Sequence, residues 1–226
     1  KQVIVTNGGK QAIYNLFQVL LNPGNEVIIP APYWLSYPEI ARLAGAKPIA
    51  ISSSPEDGFK IQLAKLEKSI TTNTRLLILN SPNNPTGRVM NKRELEAIAE
   101  ILRRHPQVSL MSDEIYEFLI SDDKEHISIG QVAPDLLDRI FIVNGFAKAW
   151  AMTGWRIGYL SGPIDVIKKA IALQSQSTSN VCSFAQKGAL AAIKGPKEAI
   201  QMMVSSYNVR RRQLVEGLNE IDGISL

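Results

Sequence analysis

Disulfide bonding within the chain is excluded at once, because its 226 residues include a single cysteine, Cys182. One unpaired thiol fits a reducing compartment, and a cytoplasmic location is expected. Histidine is nearly as scarce. His105 and His126 stand beside Pro106 and Glu125 in polar stretches, while Cys182 sits among Ser and Asn. That distribution argues against a Cys–His nucleophile and against a histidine-based metal site. No apolar run approaches the roughly 20 residues needed to cross a bilayer, and no signal-peptide pattern is present. No membrane partner is therefore expected. Charge of one sign is also in short supply, with a formal net charge of +4. The basic triplet Arg210 to Arg212 reads as a solvated helix face, so nucleic acid is not an expected partner. The first strand is not followed by GxGxxG, and no Gly-Lys-Ser/Thr loop occurs, which argues against dinucleotide and P-loop sites.

What remains suits a packed α/β protein. Hydrophobic residues make up 45% of the chain, enough for a substantial core, and the length fits one large domain or two small ones. Short apolar runs rich in β-branched residues occur at 2–6, 26–30, 47–52, 75–80, 108–112, 139–143 and 157–161. Amphipathic helical patterns lie between them at 10–21, 35–44, 61–69 and 92–103. After Pro163 the pattern is helical, at 164–174, 184–193 and 197–219. Strands apolar on both faces, alternating with helices, predict a three-layer α/β/α architecture around a mainly parallel seven-stranded sheet. Ligands of such sheets bind beyond the carboxyl ends of the strands.

The residues that suggest chemistry follow strands. The run at 139–143 leads into Asn144-Gly-Phe-Ala-Lys148, where the lysine is flanked by Ala147 and Ala149. Burial disfavours the charged amine, and a neutral amine attacks carbonyls to form an imine. Eight residues later Arg156 offers a permanent charge to an anion. After the first strand, Gly8 and Gly9 open a helix, bringing backbone N–H groups and a positive helix end to a phosphate-sized anion, with Lys10 beside them. Pro30-Ala-Pro32 presents Tyr33 and Trp34, and the Trp34 face can stack on a planar ring. Asn80-Ser-Pro-Asn-Asn84-Pro-Thr-Gly87 is a stiff, donor-rich turn for which a cis X-Pro bond is expected. Asp113 ends a buried strand, where an unpaired carboxylate is costly, so a cationic partner is expected. Glu114 is expected on the helix side or in solvent. The connection from Glu117 to Ser128 reads as short and polar.

A phosphate cradle, an aromatic plate, a buried acid and an imine-forming lysine together describe a site for pyridoxal 5′-phosphate, whose protonated ring acts as an electron sink. The motifs Asn80–Gly87, Ser112-Asp-Glu-Ile-Tyr116 and Lys148-Ala-Trp-Ala-Met-Thr-Gly-Trp-Arg-Ile-Gly-Tyr159 resemble those of the fold-type I, class I/II aminotransferases of the aspartate aminotransferase family, in order and in spacing. The resemblance implies that Lys148 binds the cofactor aldehyde covalently and carries a proton between the substrate α-carbon and cofactor C4′. It implies that Asp113 pairs with the ring nitrogen, and that Tyr116 and Asn84 contact ring O3′, with Asn84 also reaching the substrate. Trp34 stacks on the ring; Gly8, Gly9, Lys10 and Arg156 bind or flank the phosphate. Pro32 and Pro85 are expected to follow cis bonds.

Three positions depart from many relatives. Gly145 and Ala147 stand where serines often donate to the phosphate. Lys10 replaces Ser or Thr, as in a bacterial aspartate-specific branch, where it meets the distal carboxylate of an acidic substrate. The implied reaction is transfer of an amino group between an L-amino acid, aspartate by preference, and a 2-oxo acid such as 2-oxoglutarate. Alternatives on the same cofactor are a β-lyase, a decarboxylase or a prephenate transaminase; a non-enzymatic effector domain of a transcription regulator is a further one. The resemblance assigns residues 1–220 to the large cofactor-binding domain and 221–226 to the start of a small domain. It also implies a homodimer for the full-length protein. The arginine that grips the substrate α-carboxylate, and a partner-subunit tyrosine on the phosphate, have no matching position in these residues. The chain alone is therefore expected to be weakly active at best.

Overall fold

The computed structural model describes residues 2–121 and 124–224. A single sheet runs through it in the order β1-β7-β6-β5-β4-β2-β3. Its strands are β1 (Val3–Thr6), β2 (Glu26–Ala31), β3 (Lys47–Ser52), β4 (Thr74–Asn80), β5 (Ser109–Asp113), β6 (Ile140–Gly145) and β7 (Gly158–Ser161). The pairs β2–β3, β2–β4, β4–β5 and β5–β6 are parallel. β7 is antiparallel to both β6 and β1. The seven expected strands are all present, each within two residues of its expected bounds.

Eight α-helices occur among the described residues: α1 (Gly9–Leu20), α2 (Ser36–Leu43), α3 (Leu63–Lys68), α4 (Lys92–Arg104), α5 (Ile129–Val132), α6 (Ile164–Ser175), α7 (Ser183–Lys194) and α8 (Glu198–Asn219). The single-turn α5 was not expected; four residues are too short for a periodic pattern. Side-chain alternation along the strands divides the core in two. Leu76, Ile78 and Met111 pack with α1, α2 and α6 residues such as Leu16, Tyr37 and Ile167. Leu77, Leu79 and Leu110 pack on the other face with α4 residues such as Leu95 and Ile98. A third, smaller cluster of Phe146, Met152, Ile157, Val181 and Ala189 supports the turn after β6.

This topology gathers one edge of the sheet. The carboxyl ends of β2, β4, β5 and β6 lie together because the strands are parallel. β1, antiparallel to β7, shares their direction and ends there too. β7 runs the other way, so its start, just after Arg156, reaches the same edge. The connection after Glu117 is less polar than expected, since Phe118, Leu119 and Ile120 are partly buried. Ser225 and Leu226, expected to lie at the start of a further domain, fall outside the described residues. No helix among the described residues is long and apolar enough to cross a membrane.

Candidate active site

At that edge lies a cavity of about 300 Å³, lined by residues including Gly9, Lys10, Trp34, Asn84, Asp113, Tyr116, Lys148 and Arg156. Of the residues expected to contact cofactor or substrate, only Gly8 is not in its lining. Gly8 acts from behind: a Cβ there would sit 2.6 Å from Arg156 Nη2. Its φ of +88° is one that glycine adopts freely. Gln11 and Ala12 N–H donate to Gly8 O, whereas the Gly9 and Lys10 N–H groups at the start of α1 have no preceding helical carbonyl. Arg156 Nη1 donates to Thr153 O at 3.0 Å and Nη2 to Asn7 O at 3.3 Å. Its own backbone is left-handed, at φ +52°, a local strain of about 1–2 kcal/mol that the surrounding turn must hold. β7 presses against this cradle: a Cβ on Gly158 would lie 2.6 Å from Gly9 N.

Asp113 closes the opposite side. It is 5% exposed. Tyr37 Oη donates to its Oδ2 at 2.7 Å, and the Ile115 N–H donates to Oδ1 at 3.2 Å. Burial pushes this carboxyl up to about 6, with the Tyr37 and Ile115 hydrogen bonds pulling the other way. Within the chain its side-chain partner is a phenol, the Tyr37 hydroxyl. Tyr37, itself buried, is pushed upward by desolvation and by Asp113. Sequence reasoning passed over Tyr37. The available signal was its place three residues after Trp34, which puts both rings on one side of α2's start; they meet edge to face at 5.4 Å.

Asn80 was also undervalued. Its Nδ2 donates to Asp113 O at 2.9 Å, and its Oδ1 accepts from the Asn84 N–H at 2.8 Å. One side chain therefore sets the spacing between the acid and Asn84. Asn83 Nδ2 reaches Pro32 O at 3.3 Å and joins the two proline turns. Cis bonds precede Pro32, Pro82 and Pro85; the one at Pro82 was not anticipated.

Lys148 is half-buried rather than enclosed, and its Nζ lies 5.6 Å from the Tyr116 ring centre. Lys10 is exposed, with its Nζ 5.0 Å over the Trp34 ring. At Gly145 a Cβ would meet Gly158 Cα and Ile157 O at 3.0 Å, so close strand contact accounts for the missing side chain there. Near Ala147, the Thr153 hydroxyl donates to the Ala147 carbonyl at 3.0 Å. Glu114 is not in solvent. It is 4% exposed and faces away from the cavity.

A mainly parallel sheet with a cavity at its carboxyl edge, lined by a lysine, a buried acid and an arginine, defines an α/β protein with a ligand site at the strand ends. The family model for aminotransferase class I and II matches residues 1–226, and the chain belongs to that family. An aspartate/prephenate aminotransferase from Cereibacter sphaeroides is 48% identical over 224 residues, covering 99% of this chain and 56% of the relative. An aspartate aminotransferase from Streptomyces avermitilis is 47% identical over 223 residues, covering 99% of this chain and 54% of the relative. Among solved structures, the aspartate aminotransferase from Rhizobium meliloti matches with a TM-score of 0.97 at 41% identity, covering 99% of this chain and 56% of that one. That from Thermus thermophilus with maleate matches at 0.92 and 46% identity, covering 97% and 57%. The chain thus spans just over half the length of the relatives it matches.

Proposed function

We propose that this chain is the cofactor-binding part of an aminotransferase that uses pyridoxal 5′-phosphate and prefers an acidic amino acid. One observation carries the reading: Lys148 and Asp113 line the same cavity, with Trp34 and the α1 N-terminus between and beside them. The residues suit that cofactor. Backbone N–H groups of Gly9 and Lys10, with Arg156, offer donors to a phosphate. Asp113 offers a desolvated acceptor to a protonated ring nitrogen. Tyr116 and Asn84 supply polar groups for the ring oxygen. When bound, the cofactor supplies an electron sink for the bond broken at the substrate α-carbon.

The protein's share is placement and proton transfer. Lys148 would be the residue that holds the aldehyde end of the cofactor, and its amine is the group placed to move a proton at the substrate α-carbon. Asp113 would keep the ring nitrogen protonated, because a buried carboxylate favours a cation beside it. Trp34 fixes the ring plane and Asn80 spaces Asn84 from Asp113. Lys10 meets the distal carboxylate of an aspartate-like substrate. The acceptor is a 2-oxo acid such as 2-oxoglutarate. The joint aspartate/prephenate name of the Cereibacter relative favours a second acceptor, prephenate, at the same site. The division at residue 220, a full-length homodimer and a cytoplasmic setting belong to the same proposal.

The direct test is an absorbance spectrum of the full-length protein with the cofactor, before and after aspartate. A cofactor band that moves on aspartate addition, and does not form in Lys148→Ala, supports the reading. No band in the unaltered protein overturns it. Comparing kcat/KM of Lys10→Ala for aspartate and for an apolar amino acid tests specificity. A selective loss for aspartate is expected; equal losses would remove the acidic preference.

A further inference from the structure

We infer that Glu114, with His126 and Ser128 behind it, is a positioning residue that holds the Asp113–Tyr116 edge and the approach to Lys148 in register. The inference rests on the functional reading above and concerns side chains that do not line the cavity. Along β5, alternation sends Asp113 into the cavity and Ser112 and the following Glu114 to the opposite side. The Glu114 Oε1 accepts from Ser112 Oγ at 2.9 Å and Ser128 Oγ at 2.8 Å. Its Oε2 lies 3.2 Å from His126 Nε2. Its backbone N–H donates to Val143 O at 2.9 Å, tying it to β6.

The contacts continue toward the lysine. The Glu117 N–H donates to Glu114 O at 2.9 Å. Glu117 Oε1 accepts from Asn144 Nδ2 at 2.7 Å, and Asn144 Oδ1 accepts from the Gly145 N–H at 2.7 Å. Three residues further on is Lys148. A continuous polar chain therefore runs from the back of the strand bearing Asp113 to the turn bearing the lysine. Ligand atoms of Glu114, Glu117 and His126 lie within 4.8 Å of one another.

Such a hub is hard to justify as packing alone. Apolar residues of similar volume fill buried space without desolvating a carboxylate, and buried charged groups are weak contributors to stability. What a hydrogen-bonded carboxylate adds is directionality, here where one strand end and one turn must keep their spacing. The charged and titratable groups around it are Asp113 on the other face of β5, His126, Glu117 and Tyr159, with Lys197 acting on Glu117. Tyr159 is pushed up to about 12, by burial first and then by Glu117 and Glu114. The negative charge of Glu114 also favours the protonated form of Asp113. It therefore supports a cation on the far side of that strand.

The test uses the full-length protein with pyridoxal phosphate as the probe, in the variants Glu114→Gln, His126→Gln and Ser128→Ala. Three quantities are measured: the cofactor dissociation constant, the pH midpoint of the bound cofactor's absorbance band, and the cofactor-free Tm. Groups hydrogen-bonded behind metal ligands typically contribute about tenfold or more to affinity, and the same order is taken for the groups behind Asp113. Glu114→Gln and His126→Gln are expected to weaken cofactor binding about tenfold. Glu114→Gln should also move the band's midpoint to lower pH, because a negative charge that favours protonation is gone. Unchanged midpoints and binding within about twofold of the unaltered protein would overturn the inference. If Glu114→Gln does not fold, the other two variants decide by the same readouts. If the unaltered protein itself binds no cofactor, the functional reading falls, and this inference with it. Normal binding by the unaltered protein, with binding and midpoint both unchanged in Glu114→Gln, overturns this inference alone.

Discussion

Asp113 carries a stability cost that its proposed role would account for. Its folded-state pKa of about 6 lies above the ordinary carboxylate value of 3.8. Below about pH 4 both folded and unfolded chains hold the proton, and no penalty exists. As pH rises from 4 to 6 the unfolded chain releases its proton first, so stability falls. Above pH 6 the full cost is present, on the order of 3 kcal/mol. Asp113→Asn in the cofactor-free protein should therefore raise stability at pH 8 by up to about 3 kcal/mol. The gain should vanish near pH 4, as urea denaturation at the two pH values would show, and cofactor-dependent turnover should be lost. Tyr37→Phe acts in the opposite sense, removing a hydrogen bond to a charged group worth about 1.5–3 kcal/mol. It should lower stability at pH 8 and leave pH 4 less affected. Gly8→Ala combines a left-handed backbone with a clash against Arg156. It is expected to cost about 1–2 kcal/mol and to weaken phosphate-ester binding, measurable by calorimetry with pyridoxal phosphate.

Among the elements, α1 and α8 differ most in how they are held. α1 buries Ala12, Ile13, Asn15, Leu16 and Phe17 against the sheet. Asn15 Nδ2 also donates to Gln174 Oε1 at 2.9 Å, fixing α1 against α6. The 22-residue α8 buries only Ile200 and Asn208, and leaves Met202 and Leu214 exposed. A helix with little packed surface opens at low free-energy cost. In this chain studied alone, α8 amides should exchange hydrogen well before those of α1 by mass spectrometry. Equal protection would show that α8 is held by contacts other than the core. The site draws on the firm elements. Its donors come from the start of α1, its acid from β5, and its lysine from a turn that Phe146 and Trp150 anchor, with Trp150 Nε1 donating to Ala192 O on α7 at 3.1 Å.

At the scale of the molecule, cofactor binding and folding are linked. A ligand that binds only the folded state at one hundred times its Kd adds about 2.7 kcal/mol. Pyridoxal phosphate should therefore raise the Tm measurably, and the rise should be smaller for Asp113→Asn and for Lys148→Ala. All seven strands and the long helices were legible in the sequence, because strand alternation, helical periodicity and the turns between them are local signals. The cavity residues were mostly legible too, since Asn80–Gly87, Ser112–Tyr116 and Lys148–Tyr159 each sit where a strand ends. Tyr37, Asn80 as a spacer, and the buried side of Glu114 were not. Their roles depend on partners 76, 33 and 12 residues away.

The sequence by itself determined the order of elements, that the strands are apolar on both faces, and which chemical groups stand at strand ends. These follow from backbone sterics, periodicity and burial, which act over a few residues. Only the tertiary structure decided that Asp113 pairs with a phenol, that Arg156 closes over Gly8, and that a carboxylate hub lies behind the site. Those outcomes follow from which strands become neighbours and how closely they approach, and no local rule of the chain carries that distance.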